Sequence, residues 1–110
     1  MLNIDGAARL GDAAAVEAGG PVHALLAAFD QAGRETGVPL RAGAMPSDNR
    51  RYAATGLASV GIGMGMPGYQ TPAETADCVE SDTLISATRL VVAAVQQLAS
   101  SSLEYRLRAP

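Results

Sequence analysis

The sequence predicts an α/β fold. Three observations predict it. Short apolar runs at residues 1–5 and 57–63 have strand length and end at Asp5 and Gly63. Two longer stretches, opening at Pro21 and at Ser81, repeat apolar residues at helical spacing. The two kinds of segment alternate along the chain, as they do when helices are laid against a sheet.

Met1-Leu2-Asn3-Ile4-Asp5 reads as a short strand with no polar lead-in, which is typical of an internal strand. Ala14 to Ala18 reads as a second strand, closed by Gly19-Gly20. Pro21 then stands where a helix prefers proline. Val22, Leu25, Leu26, Phe29 and Ala32 follow as one apolar helical stripe, and Gly37 with Pro39 stops it. Val38 to Arg41 is a brief strand, and Pro46-Ser47-Asp48-Asn49 is a turn that caps a short helix from about Arg50 to Thr55.

Leu57-Ala58-Ser59-Val60-Gly61-Ile62-Gly63 is the clearest strand, small and apolar enough to be covered on both faces. A Gly- and Pro-rich connection runs from Met64 to Ala76, and irregular connections of that length are more often functional than idle. Ser81 is placed to cap the last helix, with Asp82 beside its positive end. Leu84, Ala87, Val91, Ala94, Val95 and Leu98 form its stripe, Ser100-Ser101-Ser102 ends it, and residues 101–110 read as a tail. Asp5 and the 64–76 connection both leave strands at their carboxyl ends, where open α/β sheets bind ligands.

Composition narrows the function. The chain has 110 residues, enough for one domain or one piece of a larger one. It holds no Trp and one Phe, so its core is built from small aliphatic groups. Net charge is −3 with 8 Lys+Arg, which leaves no basic field for phosphate backbones and argues against nucleic-acid binding. The single cysteine, Cys78, excludes an internal disulfide framework. No apolar run approaches the roughly 20 residues that span a bilayer, and no signal peptide is written at the start. The expectation is a soluble chain without a membrane partner, cytoplasmic as written and exported if a signal lies upstream.

Two catalytic patterns are weak. Gly63-Met64-Gly65-Met66-Pro67-Gly68 matches the dinucleotide glycine pattern, but Tyr69-Gln70-Thr71-Pro72 does not open the helix that would hold a pyrophosphate. A small nucleotide-binding module would rest on that loop alone. His23, the sole histidine, lies beside an apolar stripe, and Cys78 has no histidine near it in sequence.

A set of segments in order carries more. Asn3-Ile4-Asp5-Gly6, Pro46-Ser47-Asp48-Asn49, Gly56-Leu57-Ala58-Ser59-Val60-Gly61, Tyr69-Gln70-Thr71-Pro72-Ala73-Glu74-Thr75 and Val79-Glu80-Ser81-Asp82-Thr83-Leu84 follow one another. Together they resemble consecutive landmarks of the co-catalytic di-zinc aminopeptidases, clan MH metallopeptidases that also include glutaminyl cyclases. Members of that family have a strand ending in a zinc-binding Asp, a helix, and a Ser-Asp-His turn. A buried strand follows, then a Tyr-His-Thr-Pro loop whose His binds zinc, and a closing helix. The resemblance covers residues 1–100. It implies the C-terminal half of a three-layer α/β sandwich with a mostly parallel sheet.

Carried over by residue, the resemblance implies Asp5 and Gln70 at metal positions, Gln70 standing where the family has histidine. It implies Tyr69 and Met66 against the substrate's side chain, and Ser47 and Asp48 in the turn behind the metals, with Asn49 replacing the usual His. Glu74 stands where an Asp is common and holds the loop. A neutral amide is a poor zinc ligand, so Gln70 weakens or abolishes one metal position. The family's His-x-Asp segment and its Glu-Glu pair, which includes the general base, lie upstream of the strand that ends in Asp5. The expectation is therefore a zinc exopeptidase portion whose full-length parent binds zinc and cleaves peptide substrates. The chain alone is expected to be inert as a peptidase and to hold little or no zinc. The alternative is a non-catalytic remnant or interaction module that forms a homo-oligomer through an exposed sheet edge, or pairs with another chain.

Overall fold

The structure, a computed structural model, describes residues 1–45, 47–65, 72 and 75–108; side chains at 78 and 101–108 fall outside that description. Among the described residues, four strands form one sheet: β1 (Leu2–Ile4), β2 (Ala14–Gly19), β3 (Leu40–Ala42) and β4 (Ser59–Gly63). Their order is β1-β4-β2-β3. β1 runs parallel to β4 and β2 parallel to β3, while β2 and β4 meet antiparallel. The helices are α1 (His23–Thr36), α2 (Asn49–Ala54) and α3 (Ser81–Arg108), and a 3-10 turn spans Ala76–Cys78. This is an α/β domain with two of its three strand pairings parallel.

Alternation along β4 sorts the two faces of the sheet. Val60 and Ile62, with Met64 just beyond, are buried with Phe29 and Ala32 of α1 and Ala87, Leu90 and Ala94 of α3. Ser59 and Gly61 face the opposite side, where Ser59 Oγ donates to Asn49 O at 3.0 Å. A Cβ on Gly61 would lie 2.8 Å from Asn49 Cγ, so only glycine lets α2 come this close to the strand. α1 and α3 thus share one face and α2 covers the other.

α1 stops where the sequence predicts, at Gly37 in the left-handed conformation with φ 73°. Its inward face is rotated from the expected stripe. Ala28, Phe29, Ala32 and Gly33 are buried, whereas Leu26 is 39% exposed. Gly33 explains the rotation, since a Cβ there would sit 3.1 Å from Leu40 Cδ1. The helix turns its small residues toward β3 to approach closely, and Leu26 moves outward.

α3 departs from expectation in three ways. Its buried line is Thr83, Ala87, Leu90 and Ala94, while Leu84 and Val95 are exposed. Thr83 faces inward because its Oγ1 accepts the Leu10 N–H at 3.0 Å. Leu84 N–H donates to Glu80 O, so Ser81 is the first helical residue and not the cap. The helix also passes the three serines expected to end it and reaches Arg108. Serine costs a helix interior only about half a kcal/mol, and Leu, Glu and Arg beyond it favour continuation. Leu84, Ile85, Val92 and Val95 leave an exposed apolar side on α3. Among the described residues, no helix is long and apolar enough to cross a membrane.

Past β1 the chain folds over the end of β4. Asp5 N–H donates to Ile62 O, Met64 N–H to Gly6 O, and the Ala8 and Arg9 N–H groups both donate to Gly65 O. These ties bring Asp5 and the start of the long connection after β4 to the same end of the sheet.

Candidate functional site

Asp5 stands one residue past β1, half-buried, where the backbone bond to Ile62 fixes its direction. Ser47, just before α2, donates its hydroxyl to Asp5 Oδ2 at 2.9 Å across 42 residues of sequence. The pair sits beside an open cavity of about 300 Å³. Asp5 supplies the carboxylate in its wall, Ala13, Ala15 and Met45 supply apolar surface, and Gly6, Gly63 and Gly65 supply exposed backbone.

Asp48 does not share this cavity. It is exposed and lines a second depression with Arg51, Tyr52, Thr55 and Leu57. Gln70, Tyr69, Met66 and Glu74 lie outside the described residues. Of the seven residues assigned roles from sequence, the structure brings Asp5 and Ser47 together.

Sequence reasoning missed Glu17. It shares a sheet face with Ala15 and Gly19, the face that α2 covers. Its carboxylate accepts the Asn49 amide at 2.8 Å, the Met45 N–H at 3.2 Å, and Arg50 Nη2 at 2.6 Å. Arg50 Nε adds a further bond at 3.0 Å. The Arg50 guanidinium, first among the causes, pulls the Glu17 carboxyl from its usual 4.5 to about 2. Partial burial opposes that pull, and the Asn49 amide and Met45 N–H assist it. The available signal was a lone charge within the small apolar run Ala14 to Ala18. A buried-side carboxylate needs a cation, but its partner lies 33 residues away and no spacing rule reaches that far.

The depressed carboxyl makes stability depend on acid. Its contribution is present in full above pH 4.5 and is lost as pH falls through about 2. Arg50 is half exposed, so solvent screens the pair and the expected contribution is about 1–2 kcal/mol. Denaturant titrations between neutral pH and pH 2 should show wild type losing stability in that window. Glu17→Gln should start lower and lack that part of the slope.

Chemically, the described residues offer one carboxylate, one hydroxyl donor and an apolar wall at the site. The Ser47 hydroxyl faces a carboxylate and not an imidazole, and His23 is exposed in the first turn of α1, so this site has no Ser-His pair among the described residues. Among the described residues, no three His, Cys, Asp or Glu side chains come together to hold a metal ion. Asp5 with Ser47 falls short of the three or four strong donors that zinc takes, so these residues alone do not fit a zinc ion. Comparisons with protein-family models, with curated proteins and with solved structures found no match to this chain.

Proposed function

We propose that this chain is the C-terminal portion of a zinc-dependent exopeptidase domain of the aminopeptidase type, inert as a peptidase by itself. The observation that carries the reading is the Ser47 hydroxyl on Asp5 Oδ2 beside a cavity at the carboxyl ends of β1 and β4. The resemblance pairs these same two positions, a metal carboxylate at a strand end and a Ser-Asp turn behind it. Support also comes from the order of elements, a strand running into Asp5, α1, the Ser47-Asp48 segment, the buried β4 and a closing α3.

In this reading Asp5 is one ligand of a two-metal site in the parent, and the other ligands and the general base come from the His-x-Asp and Glu-Glu segments. Ser47 holds Asp5 in a fixed rotamer, and the apolar wall of Ala13, Ala15 and Met45 excludes water from one side of the carboxylate. No step of hydrolysis is assigned to the described residues in this reading, because the general base belongs to the Glu-Glu segment.

A second reading has its own observation. Among the described residues, β1 is an edge strand of the sheet, bonded to β4 on one side, and its Leu2-Asn3-Ile4 carries no charge, proline or bulge to discourage another strand. A non-catalytic module that self-associates through this edge would also cover Ile4, which is 39% exposed.

One set of samples separates the two. Metal-loaded wild type and Asp5→Ala are analysed for zinc, assayed on an aminoacyl chromophore, and sedimented, both as this chain and with any in-frame upstream coding sequence included. The first reading expects the chain alone to bind well under one zinc and release no amine. The longer polypeptide should bind zinc and lose at least half of it on Asp5→Ala. Zinc-independent behaviour of both lengths, with a concentration-dependent dimer, would replace it with the second reading.

A further inference from the structure

Ser47 reaches Asp5 from a stretch of chain that one carboxylate holds on both sides. Glu17 takes the backbone N–H of Met45, two residues before Ser47. It also takes the Asn49 side-chain amide and the Arg50 guanidinium, two and three residues after it. Asn49 is 2% exposed, and its carbonyl is held in turn by Ser59 Oγ of β4. We propose that Glu17 is the positioning residue of the Asp5–Ser47 site, its carboxylate fixing where the Ser47 hydroxyl meets Asp5. The proposal rests on reading Asp5 as the working carboxylate of the cavity.

The chemistry of the clamp favours one ionised group. A carboxylate is acceptor-only, with about four lone-pair sites, and here its partners are all donors. Neither a glutamine nor a hydroxyl could accept from all three without turning a donor of its own toward one of them. Both ends of the segment therefore depend on a single charge that lies outside the cavity. A hydroxyl bond is lost with a displacement of about 0.5 Å beyond its 2.9 Å length. Freeing the segment on both sides of Ser47 permits a movement of that size.

The competing account is that Glu17 merely pins α2 to the sheet. The carboxyl-carbon resonance of Asp5, read by NMR at neutral pH in the folded protein, separates the two. Wild type, Ser47→Ala, Glu17→Gln and the double variant are compared, with Arg50→Lys as a milder disturbance at an exposed partner. Positioning predicts that Glu17→Gln moves the Asp5 resonance in the same direction as Ser47→Ala and at least half as far. The double variant should then match Ser47→Ala alone, since the two changes act through one contact. Arg50→Lys should give a smaller shift of the same sign, which keeps the proposal testable if Glu17→Gln does not fold.

An Asp5 resonance that stays in place in Glu17→Gln or Arg50→Lys, while Asn49 resonances move, would overturn the proposal. So would a Glu17→Gln shift that persists in full in the Ser47→Ala background, because the charge would then act through its field and not through Ser47. The readout needs no metal. A failure of the zinc experiment removes the exopeptidase reading and leaves this coupling to be judged separately.

Discussion

Phe29→Ala should lower the unfolding free energy by about 3–5 kcal/mol, the range for emptying a buried aromatic site. Phe29 is 1% exposed and is the single Phe of a chain that has no Trp. It belongs to a buried cluster with Ala14, Ala32, Val38, Val60, Ile62, Met64, Ala87, Leu90 and Ala94. Most of these side chains are small or β-branched and have little reach, so much of the gap stays open and a cost within that range is expected. A domain of this size has about 5–15 kcal/mol in total, so the variant should approach the limit of folding. Urea titration by far-UV circular dichroism gives the loss directly. Leu26→Ala is the control on the same helix. Leu26 is 39% exposed, and its truncation should cost at most about 1 kcal/mol. Equal losses at the two positions would mean that α1 faces the core with the stripe read from sequence, and not with the rotated face described above.

That rotation shows what the sequence could and could not disclose. Strand positions were legible because β4 is short, apolar and bounded, and because Asp5 and Gly6 interrupt β1. Helix positions were legible from Gly37 and the break before Ser81, although α1 begins at His23 with Val22 as its N-cap, so Pro21 precedes the helix and is not in its first turn. Helix faces were not. In alanine-rich helices most directions are apolar, so the stripe with the largest side chains looks inward on paper. Close packing of Gly33 on Leu40 decided α1 instead, and the Thr83 hydroxyl oxygen accepting the N–H of Leu10, 73 residues away, decided α3. Strand order is a further limit. Nothing local in Ala14 to Gly19 says that it lies antiparallel to β4 or between β4 and β3. For the candidate site, a resemblance between ordered motifs singled out Asp5 and Ser47, which the structure joins by a hydrogen bond. Glu17 was not, because its meaning depends on α2 lying across β2, which is a tertiary fact.

Gly61→Ala should destabilise the domain by about 2–4 kcal/mol and disconnect Ser47 from Asp5 together. The added methyl would stand 2.8 Å from Asn49 Cγ and equally close to its amide oxygen. Such an overlap ordinarily relaxes by moving the side chain, at a cost of about 1–3 kcal/mol. Here the side chain is not free to move. Asn49 is buried, its Nδ2 is bonded to Glu17, and its Oδ1 is already buried without a partner among the described residues. Turning the amide away gives up a bond to a charged group, about 1.5–3 kcal/mol by itself, so the two terms overlap and do not simply add. The other response is for the start of α2 to lift from β4, which carries Ser47 away from Asp5. Either response loosens the Glu17 clamp. The Asp5 carboxyl-carbon resonance in a folded Gly61→Ala protein should therefore move toward its Ser47→Ala position. Gly56→Ala serves as the comparison, since a Cβ there meets nothing within 4 Å although its φ of 87° costs some strain. It should destabilise without moving the Asp5 resonance. If both variants lose stability and neither moves it, the sheet face beneath α2 sets stability alone, and the placement of Ser47 has another cause.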